Sequence, residues 1–549
     1  MRKTLKWLAG IILLVGIAAG AYFWATGMID SNFAYRSQIK DTPPAPGEML
    51  GEASSSRLVF VLIDALRYDT SLKSDVMPTL NQLRLQGASA LMHSQPPSFS
   101  EPGYTTLLTG AWPEINDGPV FNLDYEEIPS FTQDNLFSAA HRAGFKTAVS
   151  GYYWFEKLIP QSVVDLRFYT AGEDAAADRE VVDAALPWLK NNEAQLVLIH
   201  IDQVDYAGHH EGGPQSPNWD TAAKRADDLL AEILATLDLQ RDTIVVLSDH
   251  GQIDAGGHGG QDPVALLEPF VIAGEGVNPG EYADIQMVDV APTLAALLGT
   301  NIPASAQGSV QREMLSLSES VRAALPIAVQ SQQTALLTAY MDALDINKSK
   351  FEIPNSSTVS DYQNIINSLR NKRVFSERIG RAIPVALLLA MVITLLIRQR
   401  KSGSLSGVVG GLVFAFLFDL RYAFIDKKAY SLSSITSQMD LILYVGVTSA
   451  VLLIFIWLVT SITQKTFCLT PGEAGIKTLS LGLSIVFIIS LPVWLSFYLN
   501  GAVVTWTLPD YFTSYMALIG LIQVLIVSGV TPILAGLTAL VSRIRHKSI

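Results

Sequence analysis

The sequence predicts an α/β domain, a mostly parallel sheet between helices, joined to an α-helical membrane region. Three observations carry this. Near-continuous apolar runs alternate with helical patterns in the middle of the chain. Long, almost uncharged apolar stretches fill its C-terminal part. The charge is divided between the two regions. Of 549 residues, 49% are hydrophobic and only 16% charged, against about 25% charged in an ordinary soluble domain. Residues 1–30 carry a net charge of +2, residues 31–380 of −22 and residues 381–549 of +7. A middle region this acidic repels a phosphate backbone, which excludes nucleic acid as a partner. The single cysteine, Cys468, excludes an intrachain disulfide framework and cysteine-rich zinc modules, so a metal site must use His and carboxylates.

The chain opens with Arg2, Lys3 and Lys6, followed by an apolar run over 7–28. That exceeds the roughly 7–15 residues of a cleavable signal core, and Tyr22-Phe23-Trp24 suits an interfacial aromatic belt. Residues 1–30 therefore read as an uncleaved transmembrane signal anchor. Apolar, β-branched runs follow at 57–66, 195–202, 243–249 and 269–274, with helical patterns at 77–88, 132–144, 178–191 and 218–238. Unbroken runs of this kind suit strands buried on both faces of a parallel sheet. Three of the four end in Asp or Asp-His, at the edge where open α/β sheets bind ligands. A last helix at 286–299 closes a domain of 31–314, and polar helical residues 315–380 link it to the membrane domain 381–549.

In that last domain, about five helices are expected, at 382–397, 405–425, 440–463, 479–500 and 513–541; most reach the roughly 20 residues needed to cross the hydrocarbon core. Basic residues stay on the cytoplasmic side. With Arg2, Lys3 and Lys6 inside, the acidic domain faces outward, and Arg398, Arg400, Lys401, Lys465, Lys477, Arg543, Arg545 and Lys547 return to the cytoplasm. Arg421, Lys427 and Lys428 are the exception. Six crossings with both termini cytoplasmic result. A compact outer domain without cysteine favours a bacterial plasma membrane. Asn347-Lys-Ser and Asn355-Ser-Ser keep a lumen-facing place in the endoplasmic reticulum as the alternative.

The chemistry sits at the strand ends. Asp64 closes the first run. Asp205 and His209 follow the second. Asp249, His250 and then His258, within a glycine-rich stretch, follow the third. Hard carboxylate and borderline imidazole donors together suit divalent zinc, with manganese or magnesium as alternatives. A single Asp-His pair is most often a hydrogen-bonded turn; several such segments at strand ends reverse that reading. Pro97-Ser98-Phe99-Ser100-Glu101-Pro102-Gly103-Tyr104 opens a helix. A serine there, opposite a metal, loses its proton readily, and the helix N-terminus favours an incoming anion. Gly151-Tyr152-Tyr153-Trp154 forms either an aromatic wall for a substrate or core.

Together, Val61-Leu-Ile-Asp64-Ala-Leu-Arg67-Tyr-Asp69, Ser100-Glu-Pro-Gly-Tyr, Asp205-x-x-Gly-His209 and Ser248-Asp-His-Gly with Gly-His258-Gly resemble the alkaline phosphatase superfamily. Within it the nearest branch is the type I phosphodiesterase/nucleotide pyrophosphatase one. The Ile-Asp-Ala-Leu-Arg-Tyr-Asp string and the multi-span tail look most like glycosylphosphatidylinositol (GPI) ethanolamine phosphate transferases. The resemblance covers about 55–310 and implies an alkaline-phosphatase-like fold with two divalent metal ions, most simply zinc. Asp64, Ser100, Asp249 and His250 would hold one ion; Asp205, His209 and His258 would hold the other. Ser100 would be the nucleophile, with Ser98 as the fallback. Gly103, Tyr104, Tyr153 and Trp154 would border the substrate. Many diesterases of this branch place an asparagine near the nucleophile, and its expected position here is Gly103. Sulfatases are excluded, since their nucleophile derives from a cysteine and Cys468 lies in the membrane region.

The resemblance implies a membrane-anchored phosphodiesterase or phosphotransferase acting on a lipid-linked phosphodiester, such as transfer of phosphoethanolamine to a glycolipid. Two other readings stand beside it. One is a surface-tethered nucleotide or general phosphodiester hydrolase. The other is a transporter or scaffold whose outer domain only binds ligands.

Overall fold

The computed structural model describes residues 2–346, 358–401, 406–435 and 437–547. Asn347-Lys-Ser and Asn355-Ser-Ser lie outside the described residues. The chain forms two compact units. One joins Met1–Asn32, within helix α1 (Arg2–Phe33), to Lys372–Ile549; the other is Phe33–Asn371.

The second unit is built on a nine-stranded sheet. Its strands are β1 (Arg57–Ile63), β2 (Ala88–His93), β3 (Thr147–Tyr152), β4 (Leu166–Thr170), β5 (Leu196–Ile201), β6 (Asp242–Leu247), β7 (Leu267–Gly274) and the short β8 (Gly280–Glu281) and β9 (Ile285–Gln286). The order is β4-β3-β5-β1-β6-β7-β2-β8, with β9 also on β2. Neighbours from β4 to β6 run parallel, and β7 is antiparallel to both β6 and β2. The helices that matter below are α2 (Pro78–Gln86), α3 (Ser100–Thr109), α4 (Ala175–Lys190), α5 (Gln203–His210), α6 (Pro217–Leu234) and α7 (Val290–Leu297).

The sheet is covered on both faces, which is why β1 reads as an unbroken apolar run. Leu58, Phe60 and Leu62 enter one core with Leu107, Leu108, Val290 and Leu294 of α3 and α7. Val59, Val61 and Ile63 enter the other with Leu80, Val182 and Trp219 of α2, α4 and α6. Strand register then fixes the site. Ile63 pairs with Ile201 and Leu62 with Leu247, so the residues just after β1, β5 and β6 emerge side by side at one edge.

The opposite edge is pinned by a buried ion pair. Arg57 and Asp242 are 4% and 5% exposed. The guanidinium donates to both Asp242 oxygens and to the Leu189 carbonyl.

In the membrane unit the later helices are α8 (Val359–Lys401, which begins in the other unit), α9 (Ser406–Asp419), α10 (Gln438–Thr463), α11 (Pro471–Ile489) and α12 (Tyr511–Lys547). Five described segments are long and apolar enough to cross a membrane: Leu5–Phe33, Ser406–Ile425, Gln438–Thr463, Pro471–Asn500 and Tyr511–His546. The apolar stretch at 382–397 is the distal part of α8, and several of its side chains lie outside the described residues. Proline at N1 and a Thr470–Glu473 capping box start α11, which satisfies N–H groups that have no partner within the helix.

Asp242→Ala is expected to leave the Arg57 guanidinium buried and unpaired. We expect a loss of about 3–5 kcal/mol in unfolding free energy, read by denaturant unfolding of the full chain.

Candidate active site

The carboxyl edge of β5-β1-β6 collects the ligand-type residues that the sequence singles out. Asp64 follows β1 directly. Asp249 and His250 follow β6, and the Asp249 carboxylate accepts the Ala65 N–H at 3.3 Å across the two strand ends. His250 Nε2 lies 3.5 Å from Asp64 Oδ1 and 3.4 Å from Asp249 Oδ2. His250 Nδ1 faces the Gly251 carbonyl at 3.1 Å; a proton there leaves Nε2 free as a donor of its lone pair.

Asp205 and His209 stand one helical turn apart on α5 and so share a face, with His209 Nε2 3.5 Å from Asp205 Oδ2. His258 completes this second group, 2.9 Å from His209 and 3.5 Å from Asp205. The His250 and His258 rings stack at 3.9 Å, so the two groups adjoin. Both Asp64–Asp249–His250 and Asp205–His250–His258 offer ligand atoms within 4.8 Å of one another.

Ser100 begins α3 and is 5% exposed. Its Oγ is 3.2 Å from His250 Nε2. Ser98 has a different task. Its hydroxyl donates to the Gly260 carbonyl and accepts the Gly259 N–H, while its own carbonyl takes His258 Nδ1 at 3.0 Å. Ser98 therefore holds the His258 loop in place. Gly103 lets α3 approach the β6 turn: a Cβ there would sit 2.7 Å from Asp249 Cβ.

Two expectations meet a different arrangement. Tyr104 was expected to border the substrate, but it is 1% exposed. Its hydroxyl donates to Asp64 Oδ2 and lies 3.0 Å from His200 Nε2, so it orients a ligand residue. Gly103 was expected to occupy the position of an asparagine near the nucleophile. The structure brings Asn122 there from the following loop, its amide 3.4 Å from Ser100 Oγ. Asn122 is itself held, since its Oδ1 accepts the Glu101 N–H and the neighbouring Leu123 N–H donates to Glu101 Oε2. Tyr153 and Trp154 are half-buried after β3, with Tyr153 stacked on Tyr125 at 4.9 Å.

Sequence reasoning also missed His200, Asp202 and Gln252. His200 Nε2 lies 3.1 Å from Asp64, and Gln252 donates to Asp205 at 2.6 Å. The ending of β5 in His-Ile-Asp signalled the first two; nothing local signalled Gln252 or Asn122.

The electrostatics call for cations. Burial, then repulsion among the neighbouring carboxylates, pushes the Asp64, Asp202 and Asp249 carboxyls well above the usual range. Burial also raises Asp205, but its neighbours, His209 first and the donating Gln252 amide among them, outweigh it and hold it low. Burial lowers His258 to about 4 and His250 well below its ordinary value, so both are neutral donors at pH 7. Asp64 Oδ1 and Asp249 Oδ2 are buried with no hydrogen-bond partner. Unpaired buried carboxylate oxygens beside neutral imidazoles fit divalent cations.

Residues 58–334 match the model of the family described as type I phosphodiesterase / nucleotide pyrophosphatase. The chain belongs to that family. Among curated relatives of this phosphodiesterase-family chain is the human GPI ethanolamine phosphate transferase 2 catalytic subunit, 29% identical over 303 residues, covering 50% of this chain and 30% of the relative. The GPI ethanolamine phosphate transferase 2 of Yarrowia lipolytica is 24% identical over 343 residues, covering 57% and 38%. The chain thus spans only about a third of the length of these relatives. Among solved structures, human ectonucleotide pyrophosphatase / phosphodiesterase 5 aligns at 16% identity and a TM-score of 0.40, over 44% of this chain and 95% of that one.

Removing the Tyr104 hydroxyl in Tyr104→Phe frees the Asp64 carboxylate from one of its orienting contacts. We expect divalent-metal affinity to fall by about 10–100-fold with the fold intact, measured by metal titration against a competing chelator.

Proposed function

We propose that this family member is an integral-membrane, metal-dependent phosphotransferase that moves phosphoethanolamine from a lipid-linked phosphodiester to a glycolipid hydroxyl outside the cytoplasm. The observation that carries this reading is the setting of Ser100: first residue of α3, its Oγ within reach of His250 and of the Asn122 amide. The relatedness to GPI ethanolamine phosphate transferases supports the choice of transferred group and of a lipid-linked substrate.

Asp64, Asp249 and His250 with Ser100 would hold one divalent ion, zinc in our reading, and Asp205, His209 and His258 the other. Such a pair, when bound, neutralises phosphoryl charge and stabilises the attacking and leaving oxygens of an in-line displacement. The chain's own groups do the rest. Ser100 Oγ attacks phosphorus, the bond to the leaving alkoxide breaks, and that oxygen takes up a proton. A phosphoserine ester at Ser100 results. The Asn122 Nδ2–H donates toward the phosphoryl oxygen where charge builds. The positive end of α3 favours the same anion. The acceptor hydroxyl then attacks the ester, releasing Ser100 in a two-step exchange.

The side of action rests on charge. The turn between α10 and α11, the end of α12 and the start of α1 lie together, for Ser542 donates to the Leu469 carbonyl, Arg545 reaches Cys468, and Gly475 abuts Trp7. Lys465, Lys477, Arg543 and Arg545 gather there, which supports a cytoplasmic location for that end.

We expect detergent-purified full-length protein to cleave an aryl phosphodiester faster than the matching monoester. Ser100→Ala should lower that rate by about three orders of magnitude or more. Preference for the monoester, or undiminished turnover by Ser100→Ala, would overturn the assignment. Asn122→Ala should lower kcat by about 10²–10³-fold with little change in KM, as for loss of a donor to developing oxyanion charge.

A further inference from the structure

The membrane unit holds a small cleft with many polar side chains, bordered by the start of α9, the end of α10 and the first turns of α11. Its polar lining includes Ser461, Gln464, Thr466, Lys477, Thr478 and Ser480. Lys477 is half-buried within the candidate span Pro471–Asn500. Its Nζ has one described hydrogen-bond partner, the Gln464 carbonyl, at a marginal 3.5 Å, and no carboxylate pairs with it among the described residues. Lys477 is the seventh residue of α11, at the end of the bundle where Lys465, Arg543 and Arg545 gather, and its ammonium is available to an anion.

Two further side chains point the same way. Ser461 and Thr466 are each 3% exposed. Both line the cleft, and neither hydroxyl has a hydrogen-bond partner among the described residues. A lysine that merely extends its ammonium to the interface accounts for neither hydroxyl. An anion at Lys477 accounts for both. The surrounding charge agrees: Lys465, Arg543 and Arg545 lie exposed at this end, and the carboxylate of Glu473 is engaged with Thr470. Apolar side chains of the same helices, Val409, Leu458 and Ile462, are 54%, 41% and 66% exposed and offer a surface to acyl chains.

We propose that this cleft binds the phosphate of a membrane phospholipid, with the Lys477 ammonium against the anion and the Ser461 and Thr466 hydroxyls donating to its oxygens. The site is separate from the chemistry at Ser100 and does not depend on it. Charge-assisted hydrogen bonds of this kind are the strong ones, and at the membrane edge they compete with little water.

The test follows thermal unfolding of the full chain in mixed micelles as dioleoyl phosphatidylglycerol is added. We expect Tm to rise to saturation at about one lipid per chain. Dioleoylglycerol, which lacks the phosphate, and inorganic phosphate should each give no rise. Lys477→Met should raise the half-saturating lipid concentration about tenfold, as should Thr466→Val. Lys428→Met, near Tyr444 toward the other end of α10, should leave it unchanged. Should Lys477→Met fail to fold, Thr466→Val carries the comparison. No rise in the wild type, or the same half-saturation in wild type and both cleft variants, overturns the site. A full rise with inorganic phosphate overturns the lipid as its occupant.

Discussion

The structure depends on one electrostatic constraint: the buried carboxylates of Asp64, Asp202 and Asp249 meet the partly exposed Asp205 at one edge of the sheet. Buried like charges cannot stay ionised together without positive charge between them. The neutral imidazoles of His250 and His258 bring donor atoms and no charge, so protons or bound cations must offset the carboxylates. Much of the local architecture serves to keep these side chains aimed despite their repulsion. Tyr104 holds Asp64, Gln252 holds Asp205, and Ser98 anchors His258. Asp64, Asp205 and His258 are thus each held by a residue outside the cluster.

The parts of this arrangement visible in the sequence are those with local patterns. β1, β5, β6 and β7 are apolar along their length because both faces are covered, and they read as strands. β2 (Ala-Ser-Ala-Leu-Met-His), β3 (Thr-Ala-Val-Ser-Gly-Tyr) and β4 (Leu-Arg-Phe-Tyr-Thr) are broken by small or polar residues and carry no such signal. The ligand residues stood out because they follow strands at short, repeated spacings. Tyr104 follows Ser100 by four residues on α3, yet its side chain meets Asp64 and His200, contacts made at distant strand ends that leave no trace in the local sequence. Asn122 was illegible for a related reason: it reaches Ser100 through a loop pinned by Glu101, a contact with no periodic trace.

Helix α3 packs through Gly103 directly on Asp249, so the distance from Ser100 to the strand-end residues is set by close backbone contact. Tyr125, Tyr153 and Trp154 are half-buried on segments outside the strands, Tyr153 stacked on Tyr125 and Trp154 packed against the core. In the membrane unit, Thr478 and Trp457 both bond to Thr538 inside the bundle, whereas Ser461, Thr466 and Lys477 are left facing a cleft.

The ligand residues come from distant parts of the chain. Ala65 and Asp249 meet although they are 184 positions apart in sequence, and the same strands are tied at their other ends by Arg57 and Asp242. Parallel neighbours this far apart close large loops before they gain any contact, which makes their pairing slow. During that interval a half-assembled edge exposes apolar strands with unpaired backbone groups. Pairing of β1 with β5 and β6 completes the centre of the sheet and brings the acidic strand ends together in one step, so the carboxylate cluster exists only in the assembled unit.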